Sequence, residues 1–143
     1  MEMLKRSCEA EFKTRDAENG DMYIEGYFAV FDSPYNIGGK DREFIDPHAF
    51  DEALNGDVRC LINHDTTLVI GRTLAKTLTL SVDGHGLFGR NLINPKDQDA
   101  VNARERVKRG DVSQCSFGFE VLDEETILRE DGGVDFIIKK VRL

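Results

Sequence analysis

Residues 73–92 read TLAKTLTLSVDGHGLFGRNL, which is the pattern of a β-hairpin. The apolar side chains of its first half fall on one face of a strand: Leu74, Leu78, Leu80 and Val82. Residues 83–86, Asp-Gly-His-Gly, then form a turn, and residues 87–92 are predicted to pair back on the first strand. The segment therefore predicts an antiparallel sheet with one buried face.

The rest of the chain repeats this pattern of short strands separated by turn residues. Residues 22–31 are rich in aromatic and β-branched side chains, and residues 112–121 and 134–141 are predicted as further strands. Glycines and polar residues at positions 33–41 predict a loop. We predict about seven strands in all, most of them antiparallel.

Two segments carry helix signals. Asp46 is a suitable cap for a helix that starts at Pro47 and ends at Asn55-Gly56. Residues 97–109 have helical propensity, and Gly110 follows as a typical helix stop. The basic residues of this second helix are predicted to form a solvated face: Arg104, Arg106, Lys108 and Arg109. The fold class is thus mainly β with helices (α+β), and the hairpins favour a closed or nearly closed β-barrel flanked by helices.

The composition indicates a soluble globular chain, and residues 1–143 are expected to form one domain. Hydrophobic residues make up 40% of the chain and charged residues 32%, which is typical of folded rather than disordered proteins. The formal net charge of -8 repels phosphate backbones, so no nucleic-acid partner is expected. No apolar stretch approaches the roughly 18 residues that span a bilayer, so no membrane partner is expected.

The cysteines and histidines have no metal-binding spacing. Cys8, Cys60 and Cys115 lie far apart and form no C-x-x-C pair, so they are expected to be free thiols in a reducing cytosol. His48, next to Pro47, and His85, in a glycine-rich turn, are predicted to be surface residues. We therefore expect neither a metal nor a cofactor.

His64 and Ser116 are the candidate catalytic pair. His64 follows a short apolar strand at residues 58–62, and Ser116 lies in the strand at residues 112–121. A serine hydroxyl attacks carbonyls poorly until a base accepts its proton, and groups distant in sequence can meet in the fold. Strand alternation gives Ser116 and Gly118 the same face, and Gly118 leaves space there for a substrate backbone.

Each of these residues also has an ordinary structural explanation. His64 could be a surface histidine after a strand, held by Asp65. Ser116 could be a small polar residue in a closely packed strand. Cys115 could itself be a nucleophile, although free cysteine is more often a small buried hydrophobe.

Six motifs, taken together and in this order, resemble the prohead maturation protease family of tailed bacteriophages. They are Glu25-Gly26-Tyr27-Phe28-Ala29-Val30-Phe31, Glu43-Phe44-Ile45-Asp46-Pro47-His48-Ala49-Phe50, Asn63-His64-Asp65, Ile70-Gly71-Arg72-Thr73, Asp83-Gly84-His85-Gly86-Leu87 and Ser116-Phe117-Gly118-Phe119. Each motif alone is weak, but their order and spacing are specific.

The resemblance implies a fold like that of the herpesvirus assemblin proteases, a mostly antiparallel β-barrel surrounded by helices. It implies a serine endopeptidase of capsid maturation in which Ser116 is the nucleophile and His64 the general base. The implied substrates are a scaffold protein, or the scaffolding segment of the major capsid protein, and the protease itself. The implied location is the phage prohead in the host bacterial cytoplasm, and a homodimer is expected by analogy.

A third group that orients the base is not found where the resemblance places it. It would be an acid just after residues 141–143, or a second histidine as in the assemblins, and no histidine follows His85. We therefore expect either a chain truncated or self-processed at its C-terminus, or a substitute such as Glu120 or Asp135. Arg142 is a candidate contributor to the oxyanion site.

A second hypothesis comes from another functional class. It is a non-catalytic β-barrel module that binds scaffold or capsid subunits, with His64 and Ser116 as vestigial residues. Geometry separates the two hypotheses, because a base and its nucleophile must come within roughly 3 Å or moderately more. Side chains on opposite sides of the barrel wall would exclude catalysis by this pair.

Overall fold

The computed structural model describes residues 3–8, 12–113 and 115–143, without the side chains of residues 7, 8 and 115–117. Its strands are β1 (Leu4–Cys8), β2 (Lys13–Asp16), β3 (Met22–Val30), β4 (Tyr35–Gly38), β5 (Asp41–Ile45), β6 (Arg59–Leu61), β7 (Val69–Arg72), β8 (Leu78–Val82), β9 (Gly86–Leu92), β10 (Cys115–Leu128) and β11 (Val134–Arg142). One α-helix, α1 (Gln98–Arg109), and one 3-10 turn (Ala53–Asn55) accompany them. The chain is therefore mainly β, as predicted.

The strands form three open sheets, and the predicted closed barrel is not formed within the described residues. The five-stranded sheet has the order β1-β10-β11-β5-β4, the four-stranded sheet has the order β2-β3-β9-β8, and β6 and β7 form a separate two-stranded ribbon. Most pairs are antiparallel as expected, while β11 and β5 run parallel. Hairpin patterns indicate which strands are neighbours but not closure, because closure also requires matched tilt and stagger.

The hairpin predicted at residues 73–92 is confirmed as β8 and β9. β8 begins at Leu78 rather than at residue 73, because a turn precedes it in which the Lys76 N–H donates to the Thr73 carbonyl at 3.0 Å. Leu74 is consequently exposed instead of sharing the buried face.

The described residues form eleven strands instead of about seven. The predicted loop at residues 33–41 contains β4, which pairs with β5 at the edge of the five-stranded sheet. The strand predicted to end at Val121 continues to Leu128 as β10. Short edge strands are difficult to predict, since backbone pairing rather than side-chain burial holds them.

Helix α1 confirms the second predicted helix. The Asp97 carboxylate accepts two backbone N–H groups of its first turn, and Gly110 ends it in the left-handed conformation at φ 93°. One detail of the prediction is wrong, because Arg104 is buried rather than solvated. Its guanidinium donates to Asp16 of β2 at 2.7 Å and so ties the helix to the four-stranded sheet.

The first predicted helix is wrong. Residues 46–55 form consecutive turns, of which only Ala53–Asn55 is a 3-10 turn. The Ala49 N–H donates to the Asp46 carbonyl, a bond between residues three apart that is typical of turns. The Asp46 carboxylate also binds Lys139 of β11 at 2.8 Å. Ala49 still packs in the core, so the apolar face was correctly predicted although the helix was not.

The main hydrophobic core joins the two larger sheets. Its buried members are Ala29, Phe31, Ile45, Ala49, Phe50, Ala53, Leu87, Phe119, Ile138 and Val141. Phe119, three positions after Ser116 on β10, is fully buried in this core. The strand that carries the candidate nucleophile is therefore anchored by its own side chains.

Candidate active site

His64 lies in the loop that joins β6 to β7. Two backbone bonds close this loop, from the Ile62 N–H to the Leu68 carbonyl at 3.2 Å and from the Leu68 N–H to the Asp65 carbonyl at 3.0 Å. The Asp65 carboxylate accepts the Thr67 N–H at 2.9 Å and the Thr67 hydroxyl at 2.6 Å, and these bonds lower the pKa of Asp65. Asp65 therefore orders the loop that carries His64.

Asn63 and His64 occupy the centre of a tight turn within this loop. The Asp65 N–H donates to the Ile62 carbonyl at 3.0 Å, and the two central residues have positive φ angles of 53° and 56°. Few residues other than glycine enter this left-handed region, although asparagine and histidine do so more readily than most. Conformations of this kind persist only where neighbouring structure holds them, and they are frequent at functional sites.

The His64 ring packs against strand β10. A Cβ atom built on Gly118 would lie 3.8 Å from His64 Nδ1, which is ordinary van der Waals contact. Ser116 precedes Gly118 by two residues on the same strand, where its backbone pairs with Ser7 of β1. The fold thus brings the candidate base to the strand of the candidate nucleophile, across a long separation in sequence.

The side chains of Ser116 and Cys115 lie outside the described residues. The assignment of Ser116 as a nucleophile stays a prediction for that reason, and so does the alternative nucleophile Cys115. Cys60 is described, and burial raises the pKa of its thiol to about 12. Cys60 is therefore a protonated and unreactive thiol at neutral pH.

Two effects lower the pKa of the half-buried His64 ring. Burial is the larger one, and the positive charge of Lys5 adds to it. Both favour the neutral imidazole, which is the form that can accept a proton. Lys5 belongs to β1, where it pairs with Gly118 in the antiparallel register. Lys5 is not recognisable as a site residue from the sequence, since only the pairing of β1 with β10 brings it to the site.

An open groove of about 630 Å³ lies beside His64 and Gly118. This volume falls within the range of roughly 300–1,000 Å³ that is usual for ligand sites. Most of the lining is apolar and includes Phe28, Leu80 and Leu87. His64 therefore faces space that a ligand can enter.

A close approach of β7 to β9 fixes the ribbon, and with it His64, on the four-stranded sheet. Asn91 of β9 is buried, and its Nδ2 donates to the Ile70 carbonyl of β7 at 3.2 Å. A Cβ atom on Gly71 would lie 1.6 Å from Asn91 Oδ1, so only glycine permits this approach. This explains why Gly71 stands in the Ile-Gly-Arg-Thr motif.

Asp135 is not placed to orient His64. It lies opposite Ile127 near the far end of β10, about 30 Å from Gly118 at 3.3 Å per residue. Its carboxylate accepts hydrogen bonds from Arg42 at 3.0 Å and from Arg129 at 2.7 Å, and these bonds, that of Arg42 most, lower the pKa of Asp135. Asp135 therefore stabilises the β10–β11 hairpin instead.

Glu120 and Arg142 are paired with each other. They are opposite residues of β10 and β11, and the guanidinium donates to the carboxylate at 3.1 Å. Glu120 thus has a cationic partner of its own, and Arg142 is engaged by that carboxylate. Their roles as orienting acid and oxyanion donor stay predictions.

The other two histidines are exposed, as predicted. His48 contacts the Asp51 carboxylate at 3.0 Å, and the His85 ring meets the Tyr27 ring edge-on. Within residues 3–8, 12–113 and 115–143, no cluster of acidic, histidine and cysteine side chains could hold a metal ion. No helix in this part of the chain is long and apolar enough to cross a bilayer.

Comparison with known proteins gives one family. The sequence profile described as caudovirus prohead serine protease matches residues 9–143. The chain is also 33% identical over 126 residues to the prohead protease of Enterobacteria phage HK97, in an alignment that covers 84% of this chain and 52% of that protein. This chain therefore spans about half the length of that relative. No solved structure matches the chain.

Proposed function

Because the chain belongs to the caudovirus prohead serine protease family, we propose that it is the serine endopeptidase of phage capsid maturation. The proposed substrates are a scaffold protein, or the scaffolding segment of the major capsid protein, and the protease itself. The proposed catalytic pair is Ser116 as nucleophile and His64 as general base.

The position of the His64 ring beside Gly118 of β10 supports this pair most directly. Ser116 stands two residues before Gly118 on β10, about 6.6 Å along the strand, and alternate residues of a strand share a face. His64 therefore lies beside β10 at a point two residues from the proposed nucleophile. The groove beside His64 and Gly118 gives a peptide access to the proposed base and to this part of β10.

In the proposed reaction, His64 accepts the hydroxyl proton while Ser116 Oγ attacks the carbonyl carbon of the peptide bond. The imidazolium then gives this proton to the leaving amine, and the acyl group stays on Ser116 as an ester. Water attacks the ester with His64 as base and frees the serine. Backbone N–H groups must stabilise the oxyanion in both steps.

We further propose that the protein acts inside the prohead, in the host cytoplasm, on major capsid or scaffold protein. A homodimer, an assemblin-like fold and a single protease domain stay predictions. The alternative, a non-catalytic scaffold-binding module, has no observation that favours it over the protease.

Co-expression with the capsid and scaffold proteins tests this function. Full-length protein should release defined capsid or scaffold fragments that mass spectrometry identifies, and Ser116→Ala should leave the same proteins intact. The alanine variant must be folded, with the circular dichroism spectrum and Tm of the wild type. Intact substrates in the presence of folded wild-type protein would favour the non-catalytic module, and fragments from Ser116→Ala would exclude Ser116 as the nucleophile.

Gly118→Ala tests whether cleavage of the substrate requires the space beside Gly118 on β10. The new methyl group would lie 3.4 Å from Met3 Sδ and 3.8 Å from His64 Nδ1, so we expect a free energy of unfolding within about 1 kcal/mol of the wild type. The rate of cleavage should fall at least about tenfold, because the methyl group fills space between base and strand. Unchanged cleavage by a stable variant would show that this face takes no part.

A further inference from the structure

We propose that the groove beside His64 selects peptide segments in which an apolar side chain stands next to an acidic one. This inference rests on the proposed protease function and adds the chemical class of the segment. The groove combines an apolar floor with a positively charged rim.

The floor is formed by side chains of three strands. Phe28 of β3, Leu80 of β8 and Leu87 of β9 line it, and all three also pack in or against the main core. Their positions are thus fixed before any ligand arrives, which lowers the ordering cost of binding. Burying an apolar side chain on such a floor is favourable, since it removes both surfaces from water.

Three cations stand on the rim of the groove: Lys5, Arg59 and Arg106. Among the described residues that line the groove, Asp57 is the only one with an acidic side chain, and it is already paired with Arg59 at 3.6 Å and with Arg72. Lys5 and Arg106 are exposed, and no ion pair within the described part of the chain engages either side chain. The rim therefore carries positive charge that a ligand can neutralise.

This charge contrasts with the rest of the molecule. The chain has a formal net charge of -8, so an acidic peptide is repelled by most of the surface and attracted at this groove. Lys5 pairs with Gly118 across β1 and β10, and its charge reaches the His64 ring. A carboxylate that meets Lys5 therefore lies close to the peptide bond that Ser116 would attack.

Binding to the full-length Ser116→Ala variant tests the inference without requiring cleavage. The probe is the fluorescein-labelled peptide Ala-Ala-Phe-Glu-Ser-Ala, compared by fluorescence anisotropy with versions that carry Gln for Glu or Ala for Phe. We expect each replacement to weaken binding about three- to tenfold, and added salt to reduce the preference for Glu over Gln.

A matched pair of double variants locates the selecting charges. Lys5→Gln with Arg106→Gln should abolish the preference for Glu, whereas Lys13→Gln with Lys108→Gln should keep it. Both doubles remove two exposed positive charges, one from a strand and one from the last turn of α1, but only the first pair lines the groove. The effect on net charge and on the helix terminus is therefore the same.

Two results would overturn the inference. One is the absence of a preference for Glu or for Phe, which includes the absence of detectable binding at about millimolar peptide. The other is an equal effect of the two doubles. Failure of the protease proposal is separate, since it would show as peptides that bind with the expected preference while wild-type protein leaves capsid and scaffold proteins intact.

Discussion

Ser116→Ala, His64→Gln and the double variant should all lower the rate of substrate cleavage to the same residual level, at least about a thousandfold below wild type. The reason is that a nucleophile and its base act as a unit, so the second substitution removes nothing further. Rates with a purified capsid or scaffold substrate, measured at equal concentrations of folded enzyme, check this result. If the fold losses in cleavage rate of the two single variants multiplied in the double variant, His64 and Ser116 would not act as one unit.

Two matched controls accompany this cycle. Ser81→Ala and His48→Gln change an exposed serine and an exposed histidine away from the groove, so both should retain the wild-type rate. Cys115→Ala should also retain most of the rate. A complete loss in Cys115→Ala with activity preserved in Ser116→Ala would instead favour the cysteine nucleophile.

The pH dependence of the same reaction reports the base directly. Because burial and Lys5 lower the pKa of His64, the midpoint of the acid limb of kcat/KM should lie below about 6.5. Activity falls as the pH drops through this pKa, since the ring becomes protonated. Lys5→Gln removes a repelling charge and should move the limb to higher pH, while Lys13→Gln should leave it unmoved.

Gly86→Ala should destabilise the fold by about 3 kcal/mol and lower Tm by roughly 10 °C. A Cβ atom at this position would lie 2.0 Å from the Ala29 carbonyl oxygen, which is part of the β3 backbone. To relieve this steric clash, β3 and β9 must separate where Val30 pairs with Gly86. Thermal and chemical denaturation of purified variants measure the change.

Gly84→Ala is the matched control in the same turn. A Cβ atom there would meet nothing within 4 Å, so this variant should be neutral, or more stable by up to about 1 kcal/mol through a less flexible unfolded chain. Similar losses in the two variants would show that turn flexibility, rather than the approach of β9 to β3, makes Gly86 necessary.

These two glycines show what the sequence could and could not predict about the fold. The turn and hairpin were recognisable, because turn residues and alternation are local signals. The close approach of Gly86 to Ala29 was not, since it depends on which strand becomes the neighbour of β9. The same limit explains why the predicted closed barrel is wrong, because closure depends on how strands distant in sequence tilt and pair.

The same division between local signals and contacts of distant segments applies to the candidate site. His64 was recognisable as a titratable residue at a strand end, and it lies beside Gly118 of β10, while its pairing with Ser116 stays a prediction. Lys5 and the Asn91 contact that holds the ribbon were not recognisable, because both act through pairing between segments distant in sequence. Asp46 has the residue type of a helix cap, but turns rather than a helix follow it, and its carboxylate binds Lys139 of β11.

The pairing of β1 with β10 has a consequence for the order of events during translation. β1 is synthesised before β10, which carries the proposed nucleophile and follows more than a hundred residues later. β1 therefore lacks this neighbour until β10 has been synthesised. For this reason we expect a nascent chain to cleave neither itself nor adjacent polypeptides before β10 has been made.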